Sequence, residues 1–258
     1  MNKTLKDHPS KQIETGRALL RLKPKKELDA ATAAQFHVIG KGIICGTDYR
    51  APQASPLELV LDATEGFIPL WAQNMVLRWK FNEPSLAVLE QPEAIKSKIR
   101  SLLTGALTGW GDAAPVRFTE EADNSDFEIV LEQNDSCNIQ GCVLAQGFFP
   151  DAGRHQMYVY PKMFEQSLKE QTETLEHEIG HIFGLRHFFA PKTEMRWPSE
   201  IFGKQKAFTI MNYGTKSLLT NADKSDLKKL YASVWSGQLT KINGTPIKLV
   251  QPFHYFHG

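Results

Sequence analysis

Five residues in one short run could do chemistry together: His177, Glu178, His181, Gly184 and His187, within His-Glu-Ile-Gly-His-Ile-Phe-Gly-Leu-Arg-His. Residues four apart share one face of a helix, so His177 and His181 can offer two nitrogens to a single metal ion. Glu178 lies one step round from His177, where a carboxylate can take a proton from a metal-bound water. Glycine at 184 can adopt the positive φ that ends a helix and turns the chain, which would return His187 as a third ligand. Three neutral nitrogens with one open position is the layout of a catalytic zinc, whereas structural sites fill all four positions with protein groups. One Zn2+ and water-dependent hydrolysis are therefore expected. The competing readings are a surface helix with solvated histidines and a protein that keeps the pattern without turnover. Five fixed residue types at fixed spacing weigh against both.

The elements that must position these groups read as an α+β unit. Residues 167–185 place Leu175, Ile179 and Ile182 toward a core and predict the helix that carries His177 and His181. Residues 75–81 alternate as a strand. Pro92 then suits a first helical turn, and Ile95, Ile99, Leu102, Leu103, Ala106, Leu107 and Trp110 recur at helical spacing. Further strands are expected at 115–119, 127–132, 142–149 and 156–160. A last helix is expected from about Asn221, capped by Thr220-Asn-Ala-Asp, with Leu227, Leu230, Tyr231 and Val234 turned inward. An exposed strand at 142–149 would offer free N–H and C=O groups to an extended peptide, with Val143, Leu144 and Ala145 as the groove-lining candidates. Residues 1–70 read as an N-terminal extension and candidate pro-segment, with a weak helical stretch at 27–36 and a strand within 36–45, ahead of a catalytic unit at 71–258.

Beyond the histidines stands Phe-Thr-Ile-Met-Asn-Tyr-Gly at 208–214. With it the chain resembles the metzincin clan of zinc endopeptidases, in which a methionine-containing turn follows the long zinc motif. The element order and the segments at 106–118, 141–150 and 219–231 resemble a matrixin, while Ile-Met-Asn-Tyr-Gly resembles the turn of astacins and serralysins. The resemblance implies a five-stranded twisted mixed sheet with an active-site helix, a backing helix and a C-terminal helix. It implies that Met211 forms an apolar floor under the three histidines. It also implies that Tyr213 reaches the zinc and donates a hydrogen bond to the tetrahedral oxyanion. The second-zinc and calcium ligands of matrixins are mostly missing at 151–163, which makes a structural zinc doubtful and leaves calcium open. The segment 188–210 is longer than in typical matrixins and would shape specificity. Cys45-Gly-Thr-Asp48 faintly resembles the propeptide segment that blocks the matrixin zinc, against an ordinary loop.

Composition adds limits. The chain has 258 residues, 41% of them hydrophobic, and a formal net charge of +1. That predicts a folded protein and argues against nucleic acid or an anionic membrane as a charge-driven partner. No run approaches the ~18 apolar residues of a membrane span. A monomer acting on a protein or peptide substrate is expected. The first ten residues show no apolar stretch of a secretory signal, while the resemblance favours work outside the cell. Cys137 and Cys142 flank a short turn-forming stretch, where a disulfide and two free thiols are both open. The alternative function is a zinc-containing peptide-binding or toxin-like module with little turnover.

Overall fold

The computed structural model describes residues 19–20, 43–44, 59–63, 66–138, 141–187, 199–202, 209–211 and 218–257. Three short strands come first: β1 Ile43–Ile44, β2 Leu59–Asp62 and β3 Ile68–Trp71. They are followed by β4 Val76–Phe81, a short helix α1 Glu83–Leu86, and the long helix α2 Pro92–Trp110. Then come β5 Arg117–Glu120, β6 Phe127–Leu131, β7 Ser136–Cys137, β8 Cys142–Val143, β9 Ala145–Gln146 and β10 His155–Val159. Helix α3 Leu168–Ile182 carries two of the histidines. β11 Ser199–Phe202, helix α4 Asn221–Trp235, the hairpin β12 Lys241–Ile242 with β13 Thr245–Val250, and a last turn α5 His254–His257 complete the chain.

The main sheet is five-stranded and mixed, in the order β5-β4-β6-β10-β9. The first four strands run parallel and β9 is antiparallel at the edge. On β4 the alternation expected from sequence holds, with Leu77, Trp79 and Phe81 buried and the residues between them half-buried. Helix α2 buries Ile95, Ile99, Leu102, Leu103, Ala106 and Trp110, the stripe predicted by its spacing. It lies along α3, where the Trp110 indole N–H donates to the Glu176 carbonyl at 2.9 Å. Helices α3 and α4 both start in capping boxes, Ser167 with Glu170 and Thr220 with Asp223, so each opening turn satisfies its own N–H groups.

Two parts of the architecture differ from the expectation. Residues 142–149 do not form one strand. They form β8 and β9, interrupted at Leu144, and leave the sheet at Gly147 to meet α3. The core also reaches further toward the N-terminus than residue 71. Leu61, Ile68 and Leu70 are fully buried, β2 pairs with β11, and β3 pairs in parallel with β13. Leu19 and Leu20 pack against the same core. The stretch expected to be helical at 27–36 lies outside the described residues.

The C-terminal segment is tied in by a buried carboxylate. Asp126 accepts from Arg78 N at 2.7 Å, from His254 N at 2.9 Å and from the His254 ring nitrogen Nδ1 at 2.9–3.0 Å. A buried acceptor with three donors becomes three unsatisfied groups when it is removed. Asp126→Ala is therefore expected to cost on the order of 3 kcal/mol. In a thermal melt that would read as a drop of roughly 6–12 °C.

Candidate metal centre and catalytic carboxylate

The site is built where α3 ends. At that end the chain must dispose of carbonyls that have no partner within the helix. The Trp71 indole N–H takes the Ile182 carbonyl at 2.6 Å, and the Tyr231 hydroxyl donates to the Phe183 carbonyl at 3.1 Å. The same hydroxyl accepts from Trp71 N at 3.3 Å, and burial raises its pKa above the ordinary tyrosine value. Gly184 follows with φ +90°, a conformation that side chains rarely adopt. Gly184 N and Leu185 N close the turn on the His181 and Gly180 carbonyls at 2.8 and 3.0 Å. Leu185 then forms a single bridge to Leu61. The chain thus reverses at Gly184 and brings His187 back toward α3.

The three imidazoles converge. His177 Nε2 lies 3.1 Å from His187 Nε2 and 3.2 Å from His181 Nε2, and all three rings are buried. His177 Nδ1 stands 2.8 Å from the Ile210 carbonyl, and His181 Nδ1 stands 2.7 Å from the Leu185 carbonyl. A carbonyl can only accept, so the proton of each ring belongs on Nδ1 and the Nε2 lone pair faces inward. Lone pairs gathered at this distance repel one another unless a cation lies between them. Zinc–nitrogen bonds of about 2.0–2.1 Å in a tetrahedron place nitrogens roughly 3.3 Å apart. The observed spacing is close to that, so the donor set fits one zinc ion. Among the described residues these three form the one group of His, Cys, Asp and Glu side chains gathered in this way.

Electrostatics agree with ligation by neutral rings. Burial pushes the His181 pKa well below the ordinary value, aided by the His177 charge and opposed by the bond to the Leu185 carbonyl. Burial, with the charges of His181 and His177, pushes His187 down likewise. Glu178 is buried beside the ligands, and its Oε2 accepts from Gly147 N at 2.7 Å. Met211 packs on the same helix from below. A Cβ on Gly180 would clash with Met211 Sδ, so the thioether rests on bare backbone at the glycine that precedes His181. Phe149 sets its ring edge-on to His181 at 5.4 Å.

The structure brings His177, Glu178, His181, His187 and Met211 into one place. Val143, Leu144 and Ala145 lie on the strand that leads to Glu178, with buried side chains. Their backbone edge is not wholly open, as the sequence had suggested. The Leu144 carbonyl is taken by Tyr160 N at 2.9 Å inside the sheet, and Val143 pairs with Ile44 of β1. Cys137 and Cys142 form a disulfide across the β7–β8 hairpin, which resolves the two alternatives for that pair. Tyr213, Cys45 and Asp48 lie outside the described residues. Gly147, Phe149 and the carbonyls of Ile210 and Leu185 went unnoticed in the sequence. Backbone groups carry no residue-type signature, and only the missing side chain at 147 hinted at close contact.

A mixed sheet with a helix that gathers three imidazoles beside a buried glutamate defines a metzincin catalytic domain. The family model described as "Peptidase_M10: Matrixin" matches residues 71–232, and the chain belongs to the matrixin family of metalloendopeptidases. Stromelysin-3 of Homo sapiens is 28% identical over 130 residues, covering 46% of this chain and 27% of the relative. Stromelysin-3 of Mus musculus is 27% identical over 130 residues, covering 46% and 26%. The chain thus matches about a quarter of the length of these curated relatives. Among solved structures, myroilysin aligns over 67% of this chain and 98% of its own, at 13% identity and a TM-score of 0.45. No helix among the described residues is long and apolar enough to cross a membrane.

The depressed histidines set a pH dependence. A group whose pKa is lower in the folded state binds its proton more readily when unfolded, so stability falls as pH falls. For His181 and His187 that contribution is complete above the ordinary histidine value of about 6.5 and is lost on acidification below it. Metal-free protein is expected to lose melting temperature progressively below about pH 6.5. The His181→Gln, His187→Gln double variant should show a visibly shallower decline.

Proposed function

We propose that this chain hydrolyses internal peptide bonds of protein substrates, with Glu178 as general base and then general acid. The observation that carries the reading is the meeting of three inward-facing imidazole nitrogens beside the buried Glu178 carboxylate. His177, His181 and His187 would hold one zinc ion, which when bound supplies a Lewis acid that polarises a carbonyl and acidifies water. Glu178 takes the proton of the attacking water and passes it to the departing amine. Tyr213, two positions beyond Met211, donates its hydroxyl to the tetrahedral oxyanion. Met211 supplies the apolar floor that keeps water from beneath the ligands.

The substrate would lie extended along the outer edge of the strand through Val143 and Ala145. Neighbouring residues of a strand turn their polar backbone groups to opposite sides. Leu144 uses its carbonyl within the sheet, Ala145 lies on the edge strand of the main sheet opposite Val159, and Val143 lies between Ser136 of β7 and Ile44 of β1. That strand runs on to Gly147 and Glu178, so a peptide added to it is delivered to the base.

The N-terminal segment supports a further reading, in which residues before Leu59 form a removable pro-segment. β1 pairs in parallel with β8, Ile43 opposite Cys142 and Ile44 opposite Val143, on the side of β8 away from β7, so it uses backbone groups of the stretch proposed to dock a peptide. Cys45 and Asp48, one and four residues beyond Ile44, are the candidates for a block on the metal.

Two outcomes test these readings. Glu178→Gln should keep one zinc per chain while lowering kcat/KM on casein by about 10²–10⁴-fold. Undiminished turnover would remove Glu178 from its role, and a zinc-loaded wild-type protein without any cleavage would favour the peptide-binding module. Excision of residues before Leu59 should raise kcat/KM by about tenfold or more, the effect of a competitor that holds the edge by ~1.4 kcal/mol. No gain would mean that β1 serves the fold alone.

A further inference from the structure

Gly147 is the first residue beyond β9, and it meets α3 at the catalytic carboxylate. Its N–H donates to Glu178 Oε2 at 2.7 Å within the protein interior. A Cβ placed on it would stand 2.8 Å from the Glu178 backbone carbonyl and 3.4 Å from Oε2. The first distance is shorter than a real side chain tolerates against backbone, and backbone in a helix cannot swing aside. The strand therefore approaches the helix as closely as it does because residue 147 has no side chain.

The donor is itself held from both sides. On one side, Ala145 and Gln146 pair with Val159 and Tyr158 of β10. On the other, Phe148 stacks on His155 at 4.3 Å and leans on Phe127, while Phe149 rests against His181. The N–H is thus aimed by the sheet and the core together. Its acceptor sits at the end of a flexible side chain whose immobilisation costs conformational entropy when nothing fixes it. A hydrogen bond to an ionised carboxylate is among the stronger and shorter kinds.

We infer that Gly147 is a positioning residue for the proposed hydrolysis: its N–H fixes one oxygen of Glu178, so that the carboxylate is oriented before substrate arrives. This rests on the reading of Glu178 as the base. The need for glycine at 147 comes from the helix backbone, and the effect on catalysis comes through Glu178.

The experiment compares Gly147→Ala and Gly147→Val in the full, zinc-loaded chain with the same changes made on Glu178→Asp, which has a shorter reach. On the wild-type background, Gly147→Ala should lower kcat about 10–100-fold, as expected for a reacting group displaced by around 1 Å. KM should stay within about twofold and zinc content should be unchanged, with Gly147→Val more severe. On Glu178→Asp the same changes should have little further effect, because the contact they break is already lost. Equal losses on both backgrounds, or full activity in Gly147→Ala, would overturn the inference. A readout independent of turnover uses metal-free, isotope-labelled protein. The Gly147 amide proton should resonate well downfield and move upfield in Glu178→Gln, and an unmoved resonance would overturn the inference even if the Gly147 variants fail to fold. Turnover retained in Glu178→Gln would instead refute the assignment of the base.

Discussion

Two backbone carbonyls, of Ile210 and Leu185, fix the protons of His177 and His181 on the nitrogens away from the site, and the rest of the structure serves to keep them there. Without those acceptors each ring could choose its tautomer and its rotation. With them, the Nε2 lone pairs are aimed at one point before any metal arrives. The arrangement is costly by itself, since buried imidazoles with opposed lone pairs gain nothing from one another. It persists because its neighbours leave the rings no alternative. The Leu185 carbonyl is placed by the reversal at Gly184, and the Ile210 carbonyl by the short turn that seats Met211 on Gly180.

The reversal in turn depends on how α3 ends. Trp71 and Tyr231 each satisfy a terminal carbonyl of that helix, one from β3 and one from α4. Trp71 is itself held, since its carbonyl accepts from the Trp235 indole and its strand is paired to β13. Residues 233–257, beyond the stretch that matches the family model, therefore support the metal centre through β3. Asp126 closes the same circuit at the other end of the sheet, where it ties His254 to β4 through Arg78 N.

The legible parts of the sequence were those written in residue types. The histidine run, the capping pair at Thr220, and the apolar stripe of α2 each depend on side chains at fixed spacing, and each appears in the structure where the spacing put it. The five-stranded mixed sheet followed from strand order and resemblance together. What escaped notice was of another kind. β3 is buried on both faces and is only four residues long, so it shows no alternation to read. The break at Leu144 arises because the strand must leave the sheet to reach Glu178, a tertiary demand with no local signature. The acceptors at Ile210 and Leu185 and the donor at Gly147 are main-chain groups, which every residue but proline supplies equally.

The segment from Cys142 to Phe149 shows what that hidden layer does. At its start the disulfide to Cys137 ties it to the neighbouring hairpin. Val143 then pairs with Ser136 of β7 and Ile44 of β1, Ala145 pairs with Val159 of β10, Gly147 grips the glutamate, and Phe149 flanks His181. The edge proposed to take a peptide and the N–H that donates to Glu178 are thus only two residues apart in one segment. A shift of the edge at Ala145 would also move the N–H at 147, because the two lie two residues apart in one packed segment. Docking on that edge and orientation of Glu178, as proposed, would then be mechanically coupled. A substrate that fits the edge would reinforce the geometry of Glu178, and one that distorts the edge would lose turnover before it lost binding.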